Sequence, residues 1–327
     1  MMPMHQTLGA FRAALLAGWI GLSASGLLYA RQKGIPLWAA LPIIAAFLFE
    51  YSFYLVPGFE ALRERLRARL AGWQLALFIT LSAVLPYLIY SIPTGQFRFA
   101  ACALLLAMMA AVSFWYVLLP KSPVSDILFL VLLAAIVLSR WFSLIYTSPV
   151  REHLDILGHL ALIHAGAMAA LELRRVQGLR FGFIPSQKEA VAGVRYFFYF
   201  LPIGFPFALW LGVVHLNFTP FLFGKTLATF FGALWVTALS EEFAFRGLLQ
   251  QWLARWTGKP RLALVLASLL YGAAHLSFRS FPNWRLAAVT AVLGWFCGVA
   301  FLKTSSIRAS MVTHALVATL WRTMFVS

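Results

Sequence analysis

Apolar stretches of about 18 or more residues recur along the whole chain, and this feature constrains the fold more than any other. A soluble core does not need such stretches in every segment, whereas a bilayer does. Each run must close its own backbone hydrogen bonds in hydrocarbon, which leaves helices as the spanning elements. The sequence is 62% hydrophobic and 11% charged, against roughly half and a quarter in ordinary soluble domains. The expected fold is therefore all-α: a polytopic transmembrane helical bundle of about eleven spans. The runs lie near 11–30, 35–57, 73–92, 97–119, 126–146, 153–172, 191–212, 226–250, 262–277, 286–302 and 309–325. The first is read as a retained helix, because no convincing cleavage site is followed by a soluble domain.

The net charge of +16 does not point to nucleic acid. Its lysines and arginines lie in short breaks between apolar runs, with no separate module carrying a basic face. Arg63, Arg65, Arg67 and Arg69 follow the second run, and Arg174, Arg175, Arg180 and Lys188 follow the sixth. Arg255, Lys259 and Arg261 follow the eighth, and Lys303 and Arg308 the tenth. Even numbers of spans separate these sets, so all fall on one side, which the positive-inside rule makes cytoplasmic. The N-terminus is then cytoplasmic, the C-terminus is outside, and the expected location is the cell (inner) membrane. Cys102 and Cys297, far apart and both inside apolar runs, suggest neither a metal site nor a disulfide.

The glycine-bearing break Gly178–Pro185 separates two parts: residues 1–177, with about six helices and no evident chemistry, and residues 185–327, which contain it. There is no convincing internal repeat, which speaks against a transporter. Among only ten acidic residues, Glu241 and Glu242 are adjacent within an apolar run. A carboxylate in a bilayer costs at least ~2.5 kcal/mol on insertion scales and calls for a functional reason. Glu242 and Arg246 are one helical turn apart in the favourable order for an ion pair. Glu241 points about 100° away, and Phe245 on its own face offers it nothing, so its partners must come from another helix. His275 and His314 lie in later apolar runs. A carboxylate and two imidazoles meeting in a dry pocket can activate water and stabilise an oxyanion.

Glu241-Glu242-x-x-x-Arg246, Tyr271-x-x-x-His275 and His314, in this order and with Gly294 and Gly298 in the helix between, resemble the motifs of the CAAX-processing and bacteriocin-processing (CPBP) family. This family of intramembrane proteases includes the type II CAAX prenyl endopeptidases. The resemblance covers roughly residues 185–327. It implies that Glu241 is the base activating water, assisted by His275, that His314 helps bind the oxyanion, and that Glu242 and Arg246 hold the geometry. Two positions depart from the family pattern. Tyr271 stands where Phe is usual, and Ala318 stands where the last motif commonly has Asn. Loss of that donor costs about 2.7–4 kcal/mol of transition-state stabilisation unless it is replaced, and Thr319 or Arg322 is the expected replacement.

Zinc is conceivable with Glu241, His275 and His314 as ligands, but the spacing is not His-Glu-x-x-His, and the expectation is a metal-free glutamate mechanism. The expected activity is that of an endopeptidase acting on a membrane protein or peptide, lipidated or carrying a C-terminal anchor. Ala318 favours the alternative, a non-catalytic peptide-binding or immunity protein that keeps the protease fold. His153, His159 and His164 share one helix and are read as polar packing. Glu50 and Arg140 are expected at the interface or paired with each other, and His215 in a solvated loop.

The orientation has a direct check. Single cysteines introduced as Arg65→Cys and Arg180→Cys should react with a membrane-impermeant maleimide in inside-out vesicles only. Labelling in right-side-out vesicles would reverse the assignment.

Overall fold

The computed structural model describes residues 8–216, 223–278 and 280–326. The chain divides into two compact units, residues 1–177 and 178–327, and both are helical. The first contains α1 (Leu8–Lys33), α2 (Leu37–Tyr54), α3 (Glu60–Arg69), α4 (Gly72–Ser91), α5 (Phe99–Leu118), α6 (Pro123–Leu138), α7 (Trp141–Ile145) and α8 (Ile156–Met168). A π-helical stretch, Ala169–Arg174, continues α8.

The second unit opens with α9 (Gln187–Trp210). A helical run from Phe223 to Thr257 follows, in which α10 (Phe223–Gly232), α11 (Leu239–Glu242) and α12 (Gln251–Thr257) alternate with π-helical stretches at Ala233–Ala238 and Phe243–Gln250. Then come α13 (Pro260–Ala274), α14 (Trp284–Thr304) and α15 (Ile307–Met324). His215 is exposed and belongs to a short antiparallel pairing of His215–Leu216 with Phe325–Val326.

This is an all-α bundle of membrane-spanning type, and every expected apolar run falls on helix. Among the described residues, seven helices are long and apolar enough to cross a bilayer, so length and composition do not establish eleven spans. The run expected at 126–146 is broken at Arg140, which takes a left-handed conformation between α6 and α7. α13 has 15 residues, short of the ~20 that a 30 Å hydrocarbon layer needs. The run around Glu241 alternates between two hydrogen-bonding patterns. α15 carries Arg308, His314 and Arg322.

Within the first unit α8 is central: 78% of its apolar window is buried, against 6% for α1. The polar residues on α8 and its continuation therefore need partners from neighbouring helices. His164 gives one: its Nδ1 lies 2.8 Å from Glu50 Oε1 on α2, and its Nε2 lies 3.2 Å from the Ser82 hydroxyl on α4. Glu50 is fully buried, so the expected pairing of Glu50 with Arg140 is not made; Arg140 is exposed at the start of α7. Nor do the three histidines form a relay. His153 is exposed, and His159 donates from Nδ1 to the Asp155 carbonyl at 3.0 Å.

In the second unit, glycine permits the closest helix contact between α9 and α15. A Cβ on Gly193 would come within 2.6 Å of the Ala309 carbonyl. The Gly193 carbonyl accepts from the Thr313 hydroxyl at 2.9 Å. At the start of α9, Glu189 caps the helix through Ser186 and pairs with Arg308 at 2.8 Å. Cys102 and Cys297 are free thiols.

Truncating one partner of a buried ionic pair leaves the other uncompensated. His164→Ala should lower stability by about 3–5 kcal/mol, read as a reduced thermal midpoint in detergent, and adding Glu50→Gln should recover part of the loss. An unchanged midpoint in His164→Ala would show that the pair contributes nothing.

Candidate active site

The two adjacent glutamates diverge as helical geometry requires. The Glu242 side chain is completely buried, while that of Glu241 keeps 29% of its exposure. They occupy α11, a single α-helical turn flanked by two π-helical stretches. Inserted π turns of this kind are frequent at functional sites because they re-aim side chains.

Glu242 is engaged on both sides. Arg246 Nε approaches its Oε2 at 3.1 Å, and His314 Nδ1 lies 2.8 Å from its Oε1. A carboxylate oxygen accepts, so Nδ1 of His314 carries the hydrogen, and the ring presents Nε2 toward Glu241. That nitrogen is 3.9 Å from Glu241 Oε2, beyond direct hydrogen-bond range. Glu241 Oε2 accepts instead from the Tyr271 hydroxyl at 2.7 Å. The partner that Glu241 needed from another helix is thus a tyrosine on α13, at the position where the family usually has Phe.

Arg246 fixes the rest of the frame. It is 1% exposed, donates to the Gly294 carbonyl on α14 at 3.0 Å, and lies 4.4 Å over the Tyr271 ring, a cation–π contact. Gln250, one turn on, donates to the Gly298 carbonyl at 3.2 Å. Gly294 and Gly298 thus present two successive backbone acceptors to Arg246 and Gln250. A Cβ on Gly294 would meet Tyr271 at 3.1 Å, the Ser268 Cα at 3.2 Å and Arg246 at 3.3 Å, so any larger residue requires these neighbours to shift.

His275 stands at the edge of this network. It terminates α13, and its Nδ1 donates to the Tyr271 carbonyl at 2.9 Å. Its ring packs edge-on to Tyr271 at 4.9 Å, and among the described residues no hydrogen bond joins it to Glu241. Ala318 is half-buried on α15. The Thr319 hydroxyl is engaged with the Ala315 carbonyl one turn back, at 2.6 Å, and Arg322 is exposed. Neither is hydrogen-bonded to Glu241 or His314.

The same geometry tests the zinc ligand set. Glu241 and His314 face each other, but His275 is not grouped with them, and among the described residues no three His, Cys, Asp or Glu side chains are placed to hold a metal together. The residues as arranged do not fit a three-ligand zinc site.

Fold and site together define an integral membrane protein with its ionisable groups enclosed by helices. Residues 223–320, less than a third of the chain, match the family model described as type II CAAX prenyl endopeptidase Rce1-like. This segment is therefore similar to the type II CAAX prenyl endopeptidases, in keeping with the resemblance to the CPBP family. No curated protein and no solved structure matches the chain. Glu241, Glu242, Arg246, Tyr271, His275, His314 and Ala318 all lie inside the matched segment, and Arg322 lies just beyond it.

Sequence reasoning missed the hydroxyl of Tyr271 as the partner of Glu241. The available signal was a phenol in an apolar helix where a plain ring is usual. Tyr271→Phe should preserve packing and cost about 1.5–3 kcal/mol, the range for a hydrogen bond to a charged group. Gly294→Ala should cost about 1–3 kcal/mol by overpacking. Both are measured by thermal or denaturant unfolding in detergent. A neutral Gly294→Ala would refute the close approach at α14.

Proposed function

We propose that the C-terminal unit hydrolyses a peptide bond of a membrane-associated protein or peptide, with Glu241 as the base that activates water. The observation that supports this best is the division of labour between adjacent carboxylates. Glu242 is buried and paired with both Arg246 and His314, whereas Glu241 is partly open and faces the Nε2 of His314 at 3.9 Å. A water about 2.8 Å from both atoms would subtend an angle of about 90° at its oxygen, a placement suited to attack on a carbonyl held above it.

In this reading Glu241 takes a proton from water as the water oxygen bonds to the carbonyl carbon. The oxyanion that forms accepts from Nε2–H of the doubly protonated His314, whose Nδ1–H stays on Glu242. In that form Glu241, Glu242, Arg246 and His314 sum to zero charge, which suits a dry interior. Once Glu241 is neutral, the Tyr271 hydroxyl is released from a carboxylate and can turn to the oxyanion, supplying a donor where Ala318 has none. The tetrahedral carbon then expels the amine, which takes the proton held by Glu241. His275 has its Nδ1–H on the Tyr271 carbonyl, which leaves Nε2 to orient the water or the leaving amine.

No step requires a metal, in keeping with the ungrouped ligand set. The substrate class that fits a site enclosed by membrane helices is a segment already held by the bilayer, lipidated or anchored by a C-terminal helix. The binding-protein alternative suggested by Ala318 gains no support from the endopeptidase match or from the open, unsaturated Glu241.

Glu241→Gln keeps an acceptor for Tyr271 but cannot take a proton. It should reduce processing by about 10²–10⁴, the usual contribution of general acid–base catalysis. The measurement is mass spectrometry of membrane-proteome termini in cells carrying wild type, Glu241→Gln or no protein, with chelator-treated membranes alongside. Specific termini seen only with wild type support the reading. Equal termini in Glu241→Gln would end it, and loss of processing on chelation would end its metal-free form.

A further inference from the structure

Within the N-terminal unit, Arg63 and Arg67 of the first basic cluster lie close to Arg174 and Arg175 of the second. Arg63 and Arg67 on α3 bind Glu172 at 2.6 and 3.0 Å, in the π-helical end of α8. Arg174, two residues on, grips Asp126 with two bonds of 2.7 and 2.8 Å, and Asp126 also accepts from the Tyr116 hydroxyl at 3.0 Å. Both carboxylates are buried, and both are neutralised by these contacts.

Beside them is a cavity of about 390 Å³, lined among others by Arg67, Lys121, Glu172 and Arg175. It forms where helices end: the last turn of α3, the first turn of α4, the end of α5, the loop bearing Lys121, and the residue after the α8 continuation. That is the level at which a bundle emerges from hydrocarbon into the headgroup layer. Ala71 and Gly72 at the start of α4 also line the cavity, the Ala71 N–H being donated to the Gln74 side chain at 2.8 Å.

The charges do not close. Glu172 is the single acidic residue on the wall, and Arg63 and Arg67 already hold it. Among the described residues no carboxylate pairs with Lys121 or Arg175. Partial burial holds the Lys121 ammonium below the ordinary lysine range, and the neighbouring Arg175 and Arg174 guanidinium groups depress it further. Cations packed around a hollow with no anion between them raise one another's energy, and a dianionic group placed there would relieve it.

We propose that this cavity binds the phosphate of an anionic ligand, either a lipid headgroup or a free phosphate. The position at helix ends favours the lipid, because basic pockets between membrane helices are suited to anionic headgroups. The volume accommodates a phosphate with its ester substituent, while the acyl chains would remain along the exposed apolar faces of α4 and α5.

The test uses the full-length protein in detergent, titrated with dioleoyl phosphatidylglycerol, dioleoyl phosphatidylcholine or inorganic phosphate, with the thermal midpoint as readout. Ligand that binds the folded state raises the midpoint with concentration. The variant is Lys121→Ala with Arg175→Asn. Both side chains are exposed and outside the ion pairs, and asparagine tolerates the left-handed backbone at 175. Arg31→Gln, an exposed arginine on α1, is the control for bulk charge.

Wild type and Arg31→Gln should respond to phosphatidylglycerol and not to phosphatidylcholine, while the double variant should need about tenfold more lipid. A matching response to inorganic phosphate would assign the site to a free phosphate rather than a headgroup. If wild type responds to neither anion, or if all three proteins respond alike, the proposal is overturned.

Discussion

The buried pair of Glu242 with Arg246, completed by Nδ1–H of His314, is the interaction on which the C-terminal unit depends. Each charge removed from water costs several kcal/mol unless its partners are in place, so every helix that supplies a partner is held to the pair. α11 and its π-helical continuation bring Glu242 and Arg246, and α15 brings His314. α14 adds the Gly294 carbonyl, and α13 adds the face of Tyr271. Four stretches of helix thus converge on one ion pair. With Glu242 paired to Arg246 and His314, its neighbour Glu241 keeps a partly exposed side chain beside an imidazole.

The first unit applies the same constraint to a different end. Glu50 is matched by His164, Asp126 by Arg174, and Glu172 by Arg63 and Arg67. These carboxylates are all buried, and none stands beside an imidazole with an open face as Glu241 does. The pairs join helices: α2 to α8, α6 to the end of α8, and α3 to that same end. What remains there is not a reactive carboxylate but an excess of cations at the helix ends.

Departures from the family pattern are informative because the site compensates locally. Ala318 removes a donor from α15, and Thr319 cannot replace it while its hydroxyl is bound one turn back. The donor nearest to Glu241 is the Tyr271 hydroxyl. Of the two departures, Tyr for Phe adds a hydroxyl on α13 that reaches Glu241, and Ala for Asn removes an amide from α15 one turn after His314.

The sequence by itself determined the solvent and the class of fold, and it singled out Glu241, Glu242, Arg246, Tyr271, His275 and His314. Apolar run length is a local property, and hydrocarbon leaves a backbone of this composition little besides helix. The Glu242–Arg246 pair was equally legible, since residues one turn apart meet whatever the tertiary fold. The tertiary structure decided everything that crosses between helices. Tyr271 rather than His275 reaches Glu241, His164 rather than Arg140 reaches Glu50, and His314 turns its Nδ1 to Glu242. It also decided the break at Arg140 and the π turns flanking α11, which prevent some apolar runs from forming single long spans. These outcomes depend on how closely helices approach and at what rotation. Glycine contacts and buried charge set both, and periodicity along one helix carries no information about the helix it will face.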